Sequence, residues 1–409
     1  LSGQLGSWPD IALPGTRERA GSLPAPPAAY ALRGARPPLR AARRKDVSVA
    51  RRTPVSSGET VNTALVRALG DLAHRAVHPD TGDGCSCPAP AVLADRADGT
   101  VVRSGPVVAK AHAAGTDTAA LAARLRLAAD PALEGVLLTP LPLPAPPGAA
   151  PAAHGVPLTE LHGRPVTLWP HGEPVDPADP DAAPWDEAGA LLARLHRTAP
   201  PPADAPPPEA HEPGAHRPRL PAMRGPLKAA LAVARMRAAH PGDPADPAVA
   251  PVLAAWRGLP GWARGEAAPP ADRGGFLCHG DLHLGQLVRH PAPDGPWLLI
   301  DVDDTGFGDP AWDLARPAAW YAAGLLPPEV WLRFLDAYRS GGGPAVPPDG
   351  DPWPALDVPA RALTVQTAAL ARAKSAAEGR APDEVEQIMI DACARIAALP
   401  PELAGEYTS

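Results

Sequence analysis

The sequence predicts an α+β protein in two lobes, a small, mainly β lobe followed by a larger helical one. Three observations carry the prediction. Short apolar runs separated by turn pairs crowd residues 91–112, and apolar stripes at helical spacing dominate from Asp186 onward. Between helical segments late in the chain lies a run rich in carboxylates, His279-Gly280-Asp281 and then Ile300-Asp301-Val302-Asp303-Asp304.

Composition bounds what the chain can be. At 409 residues with 45% hydrophobic content, it is long enough to bury a sizeable core in more than one unit. No stretch of eighteen apolar residues occurs, and residues 1–30, with Trp8, Pro9 and Asp10 near the start, lack the hydrophobic centre of a secretory signal. A cytoplasmic protein without a membrane partner is expected. A net charge of -7 and a pI near 6.0 argue against nucleic acid as a partner and tolerate a cationic substrate. Cys85, Cys87, Cys278 and Cys393 match neither a zinc knuckle nor a disulfide framework, so reduced, structural thiols are expected. Lysine is nearly absent, with Lys45, Lys110, Lys228 and Lys374 alone, which singles out each one.

Along the chain, residues 1–57 are rich in Pro, Gly and Ala with a basic cluster that includes Arg43, Arg44 and Lys45, and read as a solvated or non-native extension. Residues 58–84 form an N-terminal helical segment, because Val61, Leu65, Leu69 and Leu72 recur at helical spacing behind a capping Ser57. The first lobe, residues 85–170, is expected to bind nucleotide. It should hold strands at 91–94, 100–103 and 106–110, turning at Asp98-Gly99 and Ser104-Gly105. A helix at 117–129 and strands near 135–138 and 165–169 follow, with a proline-rich loop over 140–151. The second lobe, residues 171–409, is expected to carry the catalytic loop and the acceptor site. It opens on a helix at Asp186 with the stripe Ala188, Leu191, Leu192 and Leu195, crosses a proline-rich stretch at 199–221, and ends in helices at 328–339, 359–377 and 383–399.

The residue types in the late run point to phosphoryl transfer. Asp281 and Gln286 stand five positions apart, the interval between the catalytic aspartate and the metal-binding asparagine of protein kinases. Asp281 is the expected general base for an incoming hydroxyl. The Gln286 carbonyl oxygen and Asp301, at the end of an apolar strand, can hold magnesium, and alternation in an extended segment would put Asp303 on the same face as Asp301. Lys110 ends the third strand, where its ammonium could reach nucleotide phosphates. Asp309 and Asp313 are expected to support the loop, Asp313 by bracing His279 or the loop backbone. His196, Trp320, Tyr321, Trp331 and Tyr338 read as packing residues. No Gly-x-Gly-x-x-Gly or Walker-type loop is present.

His279-Gly280-Asp281-Leu282-His283, then Ile300-Asp301, then Gly308-Asp309-Pro310-Ala311-Trp312-Asp313-Leu314 resemble the hallmark of the aminoglycoside phosphotransferase and choline kinase superfamily. The resemblance implies a bilobal protein-kinase-like fold using ATP and Mg2+, with Asp281 as base and Asp301 as metal ligand. Gln286, where most relatives have asparagine, and the continuation from Asp313 to Trp320 look closest to actinobacterial maltokinase-like glucosamine kinases. That likeness implies a sugar or amino sugar acceptor, whose protonated amine could pair with Asp303, Asp304 or Asp309. An aminoglycoside-inactivating kinase and a noncatalytic nucleotide-binding pseudokinase are the alternatives.

Overall fold

The computed structural model of the protein describes residues 57–78, 87–96, 98–144, 156–199, 220–242 and 246–399. The expected extension before Ser57, Cys85, and most of the proline-rich stretch at 199–221 lie outside the described residues. The described chain falls into two compact units. One contains residues 57–116 and the described part of 142–169; the other contains 117–141 and everything described from Pro170 on.

The first unit is a five-stranded sheet backed by a helix. Helix α1 (Ser57–Val77) buries Leu65, Leu69, Leu72 and Ala73 on one face, as the stripe predicts. Strands β1 (Ala91–Arg96), β2 (Gly99–Ser104) and β3 (Val107–His112) form the expected antiparallel meander, with β2 and β3 in register from Gly99↔His112 to Ser104↔Val107. β4 (Thr159–Leu161) and β5 (Arg164–Pro170) complete the sheet in the order β1-β2-β3-β5-β4. Strand β4 escapes sequence reading because Thr-Glu-Leu shows no alternation. Its turn does carry a signal, since His162 and Gly163 take φ of 51° and 71°, as a two-residue hairpin loop of the primed type requires. Arg164 ties the strands together, donating to the carbonyls of His112 (2.6 Å) and Ala111 (3.0 Å) and to the Thr100 hydroxyl (3.1 Å).

The second unit is helical with small β elements. α2 (Thr118–Ala128) starts under Asp117, whose carboxylate accepts from the amides of Ala119 and Ala120. No strand forms at 135–138. Leu137 instead makes one parallel bridge to Leu299, through Leu138 N–H to Leu299 O and Leu299 N–H to Val136 O, each 2.9 Å. β6 (Glu173–Pro174) and α3 (Trp185–Arg197) follow, then α4 (Gly225–Ala239) and α5 (Ala250–Arg257), two helices that lack a strong apolar stripe and were not anticipated. β7 (Phe276–Cys278), β8 (Leu287–Arg289), β9 (Trp297–Leu299) and β10 (Gly306–Gly308) carry the carboxylate-rich run. α6 (Ala311–Ala323), α7 (Pro328–Ser340), α8 (Trp353–Glu378) and α9 (Glu384–Ala397) close the chain.

Helix α8 begins six residues before the expected start at Pro359 and carries that proline inside it. Proline lacks an amide donor and normally breaks a helix interior, but α8 is buried on nearly every face, so packing overrides the local cost. Its Trp353 stacks with Trp331, which in turn lies 5.5 Å from Tyr321 between ring centroids, and Tyr338 is fully buried. Trp331 and Tyr338 are core, as the sequence suggests, whereas Tyr321 is half-buried. Among the described residues no helix is long and apolar enough to cross a membrane.

Candidate active site

The carboxylate-rich run leaves a strand, not a helix as the sequence suggested: β7 pairs antiparallel with β10 and the chain then turns through His279, Gly280 and Asp281. Gly280 has φ of +83°, and a Cβ there would collide with the carbonyl of Asp304, so only glycine fits the turn.

Asp313, in the first turn of α6, reaches back to fix that turn. Its Oδ2 accepts the His279 amide at 2.6 Å and its Oδ1 the Gly280 amide at 2.7 Å. His196 Nε2 lies 3.0 Å from Oδ2, and His196 Nδ1 lies 2.8 Å from the Tyr338 hydroxyl, which accepts from the Ala345 amide. A consistent proton arrangement has Nε2–H donating to Asp313 while Nδ1 accepts from Tyr338. Burial pushes the Asp313 carboxyl up, but the His196 bond, His196 and His279 nearby, and the Gly280 amide together hold it below the usual carboxylate range. His279 adds a second tie, its Nε2 standing 2.8 Å from the carbonyl of Ile300.

Asp281 is clamped by two cations. Arg316 Nη2 donates to Oδ1 at 2.8 Å, and Lys228 Nζ stands 2.9 Å from Oδ2; all three side chains are about one-tenth exposed. Arg316 also donates to the Leu282 carbonyl, while Lys228 donates to Asp304 Oδ2 at 2.8 Å. Arg224 reaches the other oxygen of Asp304 at 3.3 Å. Burial alone would raise the Asp281 pKa; Lys228 and Arg316 outweigh it and bring it down to about 2. Such a carboxylate is ionised at any working pH. A small pocket opens beside it, lined by Lys228, Trp312, Arg316, Leu363 and Gln366.

The metal candidates lie next along the chain. Gln286, buried, ends a 3₁₀ turn, Leu284–Gln286, capped by His283 Nδ1, which accepts the Gly285 amide at 3.0 Å. Burial first and Arg316 second depress His283 to about 4, so at neutral pH it is an uncharged acceptor. The Ile300 amide donates to the backbone carbonyl of Gln286 at 2.9 Å, which joins Gln286 to the residue before Asp301. Asp301 takes φ of +66°, one of two non-glycine residues with positive φ among those described, and a second 3₁₀ turn, Val302–Asp304, follows at once. The extended alternation expected to place Asp301 and Asp303 on one face is therefore absent.

The remaining carboxylates have other engagements. Arg124, buried on α2 and donating to the Thr305 carbonyl at 2.8 Å, lies in the field of Asp303 and Asp304; burial lowers its pKa and those two carboxylates oppose the shift. Asp304, expected as a partner for a substrate amine, is held by Lys228 and Arg224. Asp309 Oδ1 accepts the Ala311 amide at 2.9 Å, just before α6. Lys110 sits in the sheet unit on β3, half-buried and paired in register with Val101.

Sequence reading missed the four cations around these carboxylates. Lys228 carried a signal, being one of four lysines, but no apolar stripe announced its helix. Arg316 stands three positions after Asp313, which puts both on one face of α6.

A sequence profile of the phosphotransferase enzyme family (APH) matches residues 135–356. Comparison with curated proteins finds no match. Among solved structures, choline kinase from Cryptosporidium parvum Iowa II is 10% identical with a TM-score of 0.52, covering 82% of this chain and 94% of its own. A choline/ethanolamine kinase family protein from Mesorhizobium loti is 14% identical with a TM-score of 0.48, covering 85% and 100%. A spectinomycin phosphotransferase complexed with ADP and spectinomycin is 12% identical with a TM-score of 0.44, covering 84% and 98%. The choline kinase likeness shows the α+β, protein-kinase-like fold.

Proposed function

The chain belongs to the phosphotransferase enzyme family, and on that premise we propose that it moves the γ-phosphoryl group of ATP to a hydroxyl of a sugar, glucosamine or a related hexose. The observation that carries this reading is the clamped Asp281 carboxylate beside a pocket lined by an indole, an amide and two cations. Trp312 offers a ring face edge for a sugar, and Gln366 and Arg316 offer hydrogen bonds to hydroxyls.

Asp281 accepts the hydrogen bond of the acceptor hydroxyl and takes its proton late, as a loose phosphoryl-transfer transition state allows. Arg316 and Lys228 hold the carboxylate in place, and Asp313, with Asp309 at the helix start, fixes the loop that presents it. Gln286 and Asp301 fit a magnesium ion: they offer hard oxygen donors, and the left-handed backbone at Asp301 is the kind of outlier that a binding role sustains. When bound, the ion neutralises phosphate charge; Asp303 is a further candidate ligand. Lys110 serves the nucleotide phosphates in the unit around residues 85–170.

An aminoglycoside kinase would use the same carboxylates, so the acceptor decides between the two readings. ADP release measured with magnesium, ATP and a panel of acceptors tests it. Glucosamine or another hexose should give the highest kcat/KM; turnover with multi-ring aminoglycosides alone would contradict it.

Lys228 also makes a pH prediction. It is the leading influence that lowers Asp281, so in Lys228→Met the carboxyl pKa rises from about 2 as burial takes over. Asp281 must be ionised to work, so the acid limb of the kcat/KM profile should move to higher pH. An acid limb identical to wild type would show that Lys228 does not tune the base.

A further inference from the structure

We propose that His74, His78 and Cys87 form a binding site for one zinc-class divalent cation, in the sheet unit and independent of the phosphotransfer reading. The ligand atoms of all three lie within 4.8 Å of one another. His74 and His78 are four residues apart at the end of α1, on one face of the helix, with ring centroids 4.9 Å apart. His78 Nε2 stands 3.1 Å from Cys87 Sγ.

The approach of Cys87 to the helix is built by packing. One turn before His74, Gly70 faces Pro90, and a Cβ at Gly70 would come within 2.6 Å of Pro90 Cγ. The missing side chain lets the segment leading into β1 lie against α1, and three residues earlier that segment delivers Cys87 to the two imidazoles. Gly70, His74 and His78 continue one row along the helix.

Two imidazole nitrogens and a thiolate sulfur are a borderline-soft donor set, matched to zinc and unlike the oxygen donors expected for magnesium. Both histidines are half-buried and Cys87 is exposed, so an ion can enter. Binding would release the thiol proton to solvent and leave both imidazoles neutral, joined to one metal whose remaining position takes water or another donor. The cation would pin the end of α1 to the entry of β1.

The full chain, purified without a histidine tag, stripped with chelator and kept reduced, can be titrated with zinc against a chromophoric competitor, and with cobalt to read a thiolate charge-transfer band. One equivalent should bind and the band should appear. Cys87→Ser, His74→Gln and His78→Gln should each weaken zinc more than roughly 100-fold, beyond the loss of an outer-shell partner, while their circular dichroism in chelator matches wild type. Asp301→Ala should bind zinc like wild type. Failure of stripped wild type to bind, equal affinity in the three variants, or loss only in Asp301→Ala would overturn the site. None of these results depends on turnover, so the phosphotransfer reading stands or falls separately.

Discussion

Asp281→Asn should lower turnover roughly 10²–10⁴-fold, the range general base catalysis supplies, and leave nucleotide affinity near wild type. On the proposed mechanism, the substitution removes the charge that orients and finally takes the acceptor proton. It leaves Gln286 and Asp301 untouched. It also presents an amide NH2 to one of two donors, Lys228 or Arg316, that now face a neutral group. Neither cation is stranded: Lys228 keeps Asp304 at 2.8 Å, and Arg316 keeps the Leu282 carbonyl at 3.1 Å. The variant should therefore fold, and calorimetry with an ATP analogue and magnesium should separate binding from chemistry. Retained turnover would remove Asp281 from the mechanism; lost nucleotide binding would show that it holds the cofactor instead.

Asp313→Ala should destabilise the protein by roughly 3–5 kcal/mol, because three groups donate to this carboxylate and each buried donor left without an acceptor costs about 1–3 kcal/mol. Four groups depend on this carboxylate directly or through one bond: the amides of His279 and Gly280, the His196 ring and, beyond it, the Tyr338 hydroxyl. The His279 amide, the His196 ring and the Tyr338 hydroxyl are shut away from water and the Gly280 amide is part-buried, so the variant leaves buried donors without their acceptor. Urea unfolding should show a lower midpoint with an unchanged slope. Turnover should fall as well, because Gly280 would lose the bond that sets its left-handed turn. Asp313→Asn, which preserves shape and one acceptor oxygen, should lie between the two. A midpoint equal to wild type would mean that the loop is held by something other than α6.

Much of this arrangement could be read from residue order alone. The meander at β1–β3 was legible because turn pairs bracket short apolar runs, and α1 because its leucines repeat at helical spacing. The helices α4 and α5 were not, since alanine-rich, weakly amphipathic segments gain their stability from neighbours that sequence does not name. The loop from His279 to Asp281 was legible as a motif, and its bracing by Asp313 followed from position. Its cations were not, because Lys228 lies 53 residues before Asp281 and Arg316 35 residues after it, and only the folded chain brings both to one carboxylate. The left-handed Asp301 was equally hidden: an isoleucine-aspartate step at a strand end reads as extended until the 3₁₀ turn behind it is seen.

Cys87 teaches the same lesson at the other end of the chain. Its spacing in sequence matches no metal knuckle, yet packing between Gly70 and Pro90 sets it beside two histidines. Cys278 and Cys393, by contrast, are buried, in keeping with structural thiols.

A single-turnover experiment decides whether Asp281 directs a nucleotide's terminal phosphoryl group onto a sugar hydroxyl. Enzyme in excess is mixed with γ-labelled ATP, magnesium and glucosamine, quenched, and the label located by mass spectrometry. Label should appear on a hexose oxygen with wild type and stay in unreacted ATP with Asp281→Asn. Label released only as inorganic phosphate, or transferred equally by both proteins, would contradict this role of Asp281.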